Sequence, residues 1–385
     1  MTDAGPDDVT CAHCGRRVPA GEFCCCCGLP LDLDADHPRH VGRRAHHYAA
    51  SPNEPAWALR FTSTLFPQLP QHAMGAFRVA LASGVGLIVL LGLLGIFSVA
   101  LLAAAVLVPL LMLLYLYNVD LYEDEPILVV GLTLLGGAAG GFVLGLIAGH
   151  VALPLQQHGW GQLTDGAVLV RVLVLPLAGV ALALIGPLIL LRHPRFNDVL
   201  DGVVFGAASA IALQAAMLLT AAWPVTRLGL RPQQDSTAWT LRVVELGLLV
   251  PLIVAGGVGW AGAALWARYR APLRDRGALG PLGHPVSAIL VAAVLAVAAA
   301  LAQSVLTPLG RLVALAALAA IGLLLMRRAI HVGLLEEANE ADPGAVVFCS
   351  NCGRPTARHT FCASCGVALR ALPKGPVPGG ATSSP

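Results

Sequence analysis

Charge is scarce in this chain. Asp, Glu, Lys and Arg make up 12% of 385 residues, against 57% apolar residues; a soluble domain carries about 25% charge. Mean hydropathy is +0.75. These values exclude a soluble enzyme, and also a disordered chain, which needs high charge and little apolar surface. Lysine is almost missing: Lys374 stands alone among 24 basic residues, so nearly all positive charge is guanidinium. The charge and hydropathy values also exclude a secreted disulfide scaffold, and no cysteine falls within the long apolar region. Residues 1–10 contain Asp3, Asp7 and Asp8 and no apolar run, so no signal peptide is expected. Glycine, in contrast, is plentiful. There are 42, many inside apolar runs, as in spanning helices. The composition predicts an all-α polytopic membrane protein.

About 20 apolar residues cross a bilayer as a helix. Eight such stretches are expected, near 78–96, 98–117, 127–149, 167–191, 202–222, 243–267, 286–305 and 309–326. The first two form a tight hairpin around Gly95 to Ser98. Trp160, Trp223, Trp239 and Trp266 fall near span ends, where interfacial aromatics belong. An even count puts both termini on one side. Arginine then selects the side: Arg39, Arg43, Arg44, Arg60, Arg78, Arg192, Arg195, Arg268, Arg270, Arg274, Arg276, Arg327 and Arg328 share the termini's side. The opposite loops hold chiefly Arg227, Arg231, Arg242 and Arg311. The bias predicts an integral cell-membrane protein with both termini cytoplasmic. Gly137, Gly141, Gly145 and Gly149 recur every four residues, giving one helix a face without side chains against which another can pack. Gly202, Gly206 and Ala210 repeat the device.

The ten cysteines lie in residues 11–27 and 349–365. Each cluster follows one pattern. The first reads Cys11-x2-Cys14-Gly15-Arg16, then Phe23-Cys24-x2-Cys27-Gly28. The second reads Cys349-x2-Cys352-Gly353-Arg354, then Phe361-Cys362-x2-Cys365-Gly366. Two such turns on a short hairpin present four thiolates tetrahedrally, which suits one structural zinc ion per cluster; disulfides are the alternative. Both clusters resemble rubredoxin-type zinc ribbons. Cys25 and Cys26 could shift the ligand register, but the equivalence of Phe23 with Phe361 favours Cys24 and Cys27. A site closed by four cysteines holds a fold together and leaves no position for catalysis. Arg16, Arg17, Arg354, Arg358 and His359 are too sparse for the dense basic stripe of a nucleic-acid-binding surface. The expected order is an N-terminal ribbon (1–30), a linker and interfacial segment (31–76), the bundle (77–328), a linker (329–346), a second ribbon (347–368) and a disordered tail (369–385). His37, His40, His46 and His47 in the first linker read as solvated.

Two polar loops interrupt the spans. Asp120-Leu-Tyr122-Glu123-Asp124-Glu125-Pro126 gathers four carboxylates. His193-Pro-Arg195-Phe196-Asn197-Asp198-Val-Leu-Asp201-Gly202 precedes the fifth span, where Asp201 is placed to cap a helix. These two segments, in this order around a Gly-rich span, resemble the PrsW family of intramembrane proteases over roughly residues 110–270. The resemblance implies a proteolytic bundle. It also implies a Glu-Glu-x-x-Lys run where this chain has only Leu, Ala, Gly and Val between Leu177 and Leu184. A second glutamate is implied near Ile211 to Met217, where the polar residue is Gln214. A histidine is implied near Val250 to Gly259, where there is none.

Peptide hydrolysis needs a general base and an activated nucleophile, often with a metal. The predicted spans hold no interior carboxylate; Glu245 and His150 fall near span ends, and Arg171 is close enough to one to snorkel. The expected protein is therefore PrsW-like without proteolytic chemistry. It would be embedded in membrane lipid and bind protein partners through its ribbons and bundle. An active metalloprotease would require Glu123, Glu125, His193, Asp198 and Asp201 to converge. A transporter or membrane sensor is the third reading.

Overall fold

A computed structural model describes residues 8–11, 17–26, 28, 31, 47–48, 54–55, 71–119, 127–157, 165–193, 196, 198–227, 236–270, 279–338, 344–358, 361–367 and 369. The chain divides into two compact units, one of Phe77–Leu114 with Glu125–Ala329, the other of Met1–Ala76, Tyr115–Asp124 and Ile330–Pro385. The structure is mostly helical. Eight long helices occur among the described residues: α1 (Gln71–Leu93), α2 (Phe97–Val119), α3 (Ile127–Gln157), α4, α5 (Val199–Arg227), α6, α7 (Pro285–Val305) and α8 (Pro308–Ala338). α4 runs as Asp165–Leu169, a π-helical turn Val170–Val174, then Leu175–Leu190. α6 runs as Ser236–Val244, a π-helical turn Glu245–Leu249, then Val250–Tyr269. Among the described residues, seven of the eight carry stretches long and apolar enough to cross a membrane, and α2 is apolar over Phe97–Leu111. This is a multi-pass membrane protein.

The hairpin predicted around Gly95 closes by backbone chemistry. Gly95 has φ +76°. Its N–H donates to Gly92 O at 3.0 Å, and Ile96 N–H donates to Leu91 O at 2.9 Å. These are the two hydrogen bonds of a Schellman cap.

α5 and α6 form the centre of the bundle. Every residue from Asp201 to Leu213, and from Pro251 to Ala267, is buried. Glycine permits this density. A Cβ on Gly141 would run into Leu213 O, and one on Gly137 into Ser209 O, so the glycine face of α3 lies against the α5 backbone. Gly202 and Gly262 make the same approach between α5 and α6, and Gly256 meets Gly322 of α8. With apolar lipid on the outside, such close backbone packing is a main source of helix association.

Several boundaries differ from the sequence reading. α6 begins at Ser236, not near 243, so Arg242 and Glu245 lie inside the span and not at its end. α8 continues to Ala338, through what was expected to be linker; no Gly or Pro in the stretch after Gly333 breaks it before Pro343. Arg327, expected to flank the span in the cytoplasm, is fully buried. Trp266, near the end of α6 as expected, does not face outward. It is fully buried, and its Nε1–H donates to Phe196 O at 3.2 Å.

The second unit contains three small antiparallel strand pairs among the described residues. In the first, β1 (Asp8–Thr10) pairs with β2 (Arg17–Pro19), Thr10 opposite Arg17. A short bridge follows, β3 (His47–Tyr48) with β4 (Glu54–Pro55), within the expected linker. The last hairpin pairs β5 (Gly344–Phe348) with β6 (Pro355–Arg358), Phe348 opposite Pro355. Cys11 follows β1 as Cys349 follows β5, so the two ribbons share one register.

Candidate metal centre

At the C-terminal end, β5 and β6 hold Cys349 and Cys352 on one turn, and the following chain returns Cys362 and Cys365 to them. All four Sγ atoms lie within 4.8 Å of one another. Cys349 Sγ is 3.7 Å from Cys365 Sγ, and Cys352 Sγ is 3.8 Å from Cys362 Sγ. A tetrahedron with metal–sulfur bonds of ~2.3 Å has edges of about 3.8 Å, so the cluster has the dimensions of a four-thiolate metal site. The turns are shaped for it. Gly353 (φ +71°) donates its N–H to Cys349 O at 2.7 Å, and Gly366 (φ +69°) donates to Cys362 O at 2.9 Å. Only glycine adopts this backbone without strain. The Cys349 and Cys365 thiols beside Cys362 hold its thiol well below the ordinary range, while the same contact raises Cys349. This cluster could bind a metal ion, and four protein ligands leave it closed.

In the N-terminal ribbon, Cys11, Cys24 and Cys25 are buried and pack with Val18 and Leu31. Cys14 and Cys27 lie outside the described residues. The second turn nevertheless reproduces its counterpart: Gly28 has φ +72°, and its N–H donates to Cys24 O at 2.8 Å. Cys24 therefore occupies the place of Cys362, and Cys25 that of Ala363.

The N-terminal and C-terminal cysteine segments pair with each other. Phe23 N–H donates to Ala363 O at 2.9 Å, and Phe361 N–H donates to Cys25 O at 2.9 Å. Each phenylalanine covers the turn glycine of the opposite ribbon. A Cβ built on Gly28 would sit 3.3 Å from the Phe361 ring, and one on Gly366 would sit 2.9 Å from the Phe23 ring. Arg354 and Glu22 add an exposed ion pair at 3.6 Å. The internal repeat was plain in the sequence. The pairing was not, because neither motif says what its phenylalanine covers.

Three of the loop residues proposed for a displaced protease site are described, and each makes local contacts. Asp201 sits in the first turn of α5, and its Oδ2 accepts the N–H of Asp198 at 3.0 Å. It is thus the third helical residue reaching back to the cap, not the cap itself. His193 packs its ring on Phe196 at 5.3 Å. Glu123 and Glu125 lie outside the described residues. Among the described residues, the one group of three or more His, Cys, Asp or Glu placed to share an ion is the C-terminal cysteine set, so His193, Asp198 and Asp201 are not brought together as ligands.

A polar cluster within the bundle was missed. Glu245 is fully buried, and its Oε2 accepts from Arg242 Nη1 at 3.3 Å and from Arg311 Nε at 2.6 Å. The first pair has i, i+3 helical spacing and was legible in principle. The second joins residues 66 apart in sequence. Comparison with family models, curated proteins and solved structures returned no match to this chain.

Proposed function

We propose that this is a membrane-embedded binding protein, a PrsW-like bundle without proteolytic chemistry that carries one cytoplasmic module made of two zinc ribbons. The observation that carries this reading is the reciprocal pairing of Phe23 and Phe361 across the two ribbons. Paired ribbons tie the first and last elements of the chain together on one side of the membrane. That requires an even number of crossings, so α2 joins the seven longer spans and the count is eight. One zinc ion sits on Cys349, Cys352, Cys362 and Cys365. A second sits on Cys11, Cys14, Cys24 and Cys27, in the register that the Gly28 turn supports.

Both zinc sites are structural. They supply the folding energy that modules of this size cannot draw from an apolar core. The module presents a composite surface to protein partners, and the bundle anchors it in lipid. The experiment is a peptidase assay on the full-length protein reconstituted in vesicles with membrane-embedded peptides. No hydrolysis is expected, with or without chelator. Turnover that disappears in Asp201→Ala or Glu125→Ala protein that is still folded would restore the protease reading.

A further inference from the structure

Between α4, α5, α6 and α7 lies a partly open cavity of about 210 Å³. Most of its lining is apolar, with Leu175, Val250, Val254 and Ala296 among it. Four polar side chains also line it: Arg171, Arg242, Gln214 and Gln303. No carboxylate is among the lining residues. Buried charge is costly in a membrane and is kept where it does something.

Two π-helical turns build the charged side of this cavity. Pro176 and Pro251 have no N–H to give the α-helical hydrogen bond. Just before each, the helix widens. Leu175 N–H reaches back to Val170 O, and Val250 N–H reaches back to Glu245 O. Arg171 lies within the first widened turn, and Arg242 one turn before the second. π-turns of this kind are frequent at functional sites.

The charges do not balance. Arg171 and Arg242 line the same cavity, and Arg242 shares Glu245 with Arg311. Glu245 is the carboxylate that pairs with Arg242 and Arg311, and it forms no salt bridge with Arg171. Two guanidiniums thus share one carboxylate, and Arg171 faces the cavity with none among the lining residues. Each arginine lies in the first part of its helix, and α4, α6 and α8 run in the same direction through the proposed eight-span topology. All three arginines therefore lie towards the leaflet away from the cytoplasm.

We propose that this cavity is a binding site for an anionic phospholipid, the phosphate on Arg171 and Arg242 and part of one acyl chain in the apolar portion. A guanidinium fork matches two phosphate oxygens. Gln214 and Gln303 offer amide donors to the ester oxygens. The volume favours partial entry. Pockets that enclose a whole drug-sized ligand measure about 300–1,000 Å³, so most of the lipid remains in the bilayer. Lipid is the source the position selects, since the site lies between membrane-spanning helices.

The test is calorimetric titration of full-length protein in neutral detergent with dioctanoyl phosphatidylglycerol, dioctanoyl phosphatidylcholine and inorganic phosphate. Phosphatidylglycerol should bind saturably; phosphatidylcholine has the same phosphate but sets a quaternary ammonium cation beside the two guanidiniums, and should bind about tenfold more weakly or worse. Arg171→Gln should weaken phosphatidylglycerol by about the same factor. Arg171→Lys, which keeps charge without the fork, should fall between. Where Arg171→Gln does not give monodisperse protein, Ala300→Phe narrows the cavity without changing charge and should weaken the lipid instead. Equal binding of the two lipids overturns the proposal. So does undiminished phosphatidylglycerol binding in these variants, or inorganic phosphate binding as tightly as the lipid.

Discussion

Phe23 and Phe361 hold each other's ribbons by the same two contacts exchanged. Each donates its N–H to the residue two beyond the other phenylalanine, at 2.9 Å in both directions, and each ring lies over the other ribbon's turn glycine. A repeated sequence has produced a two-fold interface within one chain. Phe361 is fully buried in it. Its N–H lies on the backbone, so side-chain substitutions act through the ring. Phe361→Ala should cost about 3–5 kcal/mol of ribbon stability, the usual range for a buried phenylalanine. Chelator-induced release of metal from the full-length protein should accelerate. An unchanged release rate would show that the ring does not hold the module.

Gly28 tests the same interface from below. Its φ of +72° and the nearness of the Phe361 ring both oppose a side chain. Gly28→Ala incurs left-handed backbone strain of about 1–3 kcal/mol and presses on the ring. Gly353 has φ +71° but open space around its absent Cβ. Gly353→Ala should therefore carry only the backbone cost. Metal retention under chelator challenge orders the two.

Within the bundle, Gly141 and Gly136 give a paired prediction. Gly141→Leu drives carbon into the Leu213 backbone. Overpacking costs about 1–3 kcal/mol where side chains can adjust, and backbone adjusts less. Gly136 has nothing within 4 Å of its Cβ position, so Gly136→Ala should be neutral or stabilising by up to about 1 kcal/mol from helix propensity. Thermal unfolding in detergent should separate the variants. Equal transitions would mean that the Gly141 face does not pack.

The glycine stripe was readable because it needs only period four and an apolar setting. The spans were readable for the same reason. Glu245 was not. Its neighbours Trp239, Thr240 and Arg242 make the start of α6 look like interface, and the charge that permits its burial arrives from Arg311 on another helix. Arg171 looked able to snorkel, because the widening before Pro176 that brings it to the cavity is a property of backbone hydrogen bonds. The knuckles identified the cysteine set, while the surface joining the ribbons depends on contacts more than 300 residues apart.

Glu245→Gln tests the buried triad. It leaves Arg242 and Arg311 without their shared carboxylate, and stranding a buried charge costs about 3–5 kcal/mol. Adding Arg311→Gln should recover part of that loss. Thermal unfolding of the single and double variants gives the coupling. Simple additivity would show that the observed ion pairs contribute nothing to stability.

Metal analysis should return two zinc ions per chain. Cys24→Ser or Cys27→Ser should reduce this to one, and Cys25→Ser or Cys26→Ser should leave two. Because thiolates are the ligands, zinc should be released as pH falls and retained as it rises. A single ion in the wild type would remove the N-terminal site. Loss of zinc in Cys25→Ser but not Cys24→Ser would shift the register.

The most direct test of the paired module is a crosslink. The Cβ position of Gly21 lies 2.9 Å from Ala363 Cβ, so a small backbone adjustment brings a Gly21→Cys, Ala363→Cys pair within disulfide reach. The zinc-loaded full-length protein is oxidised in its membrane and cut at a protease site inserted between Arg274 and Asp275. The account predicts that the two halves remain joined under non-reducing conditions, within one chain and at any dilution. Halves that separate, or that join only between chains, would contradict it.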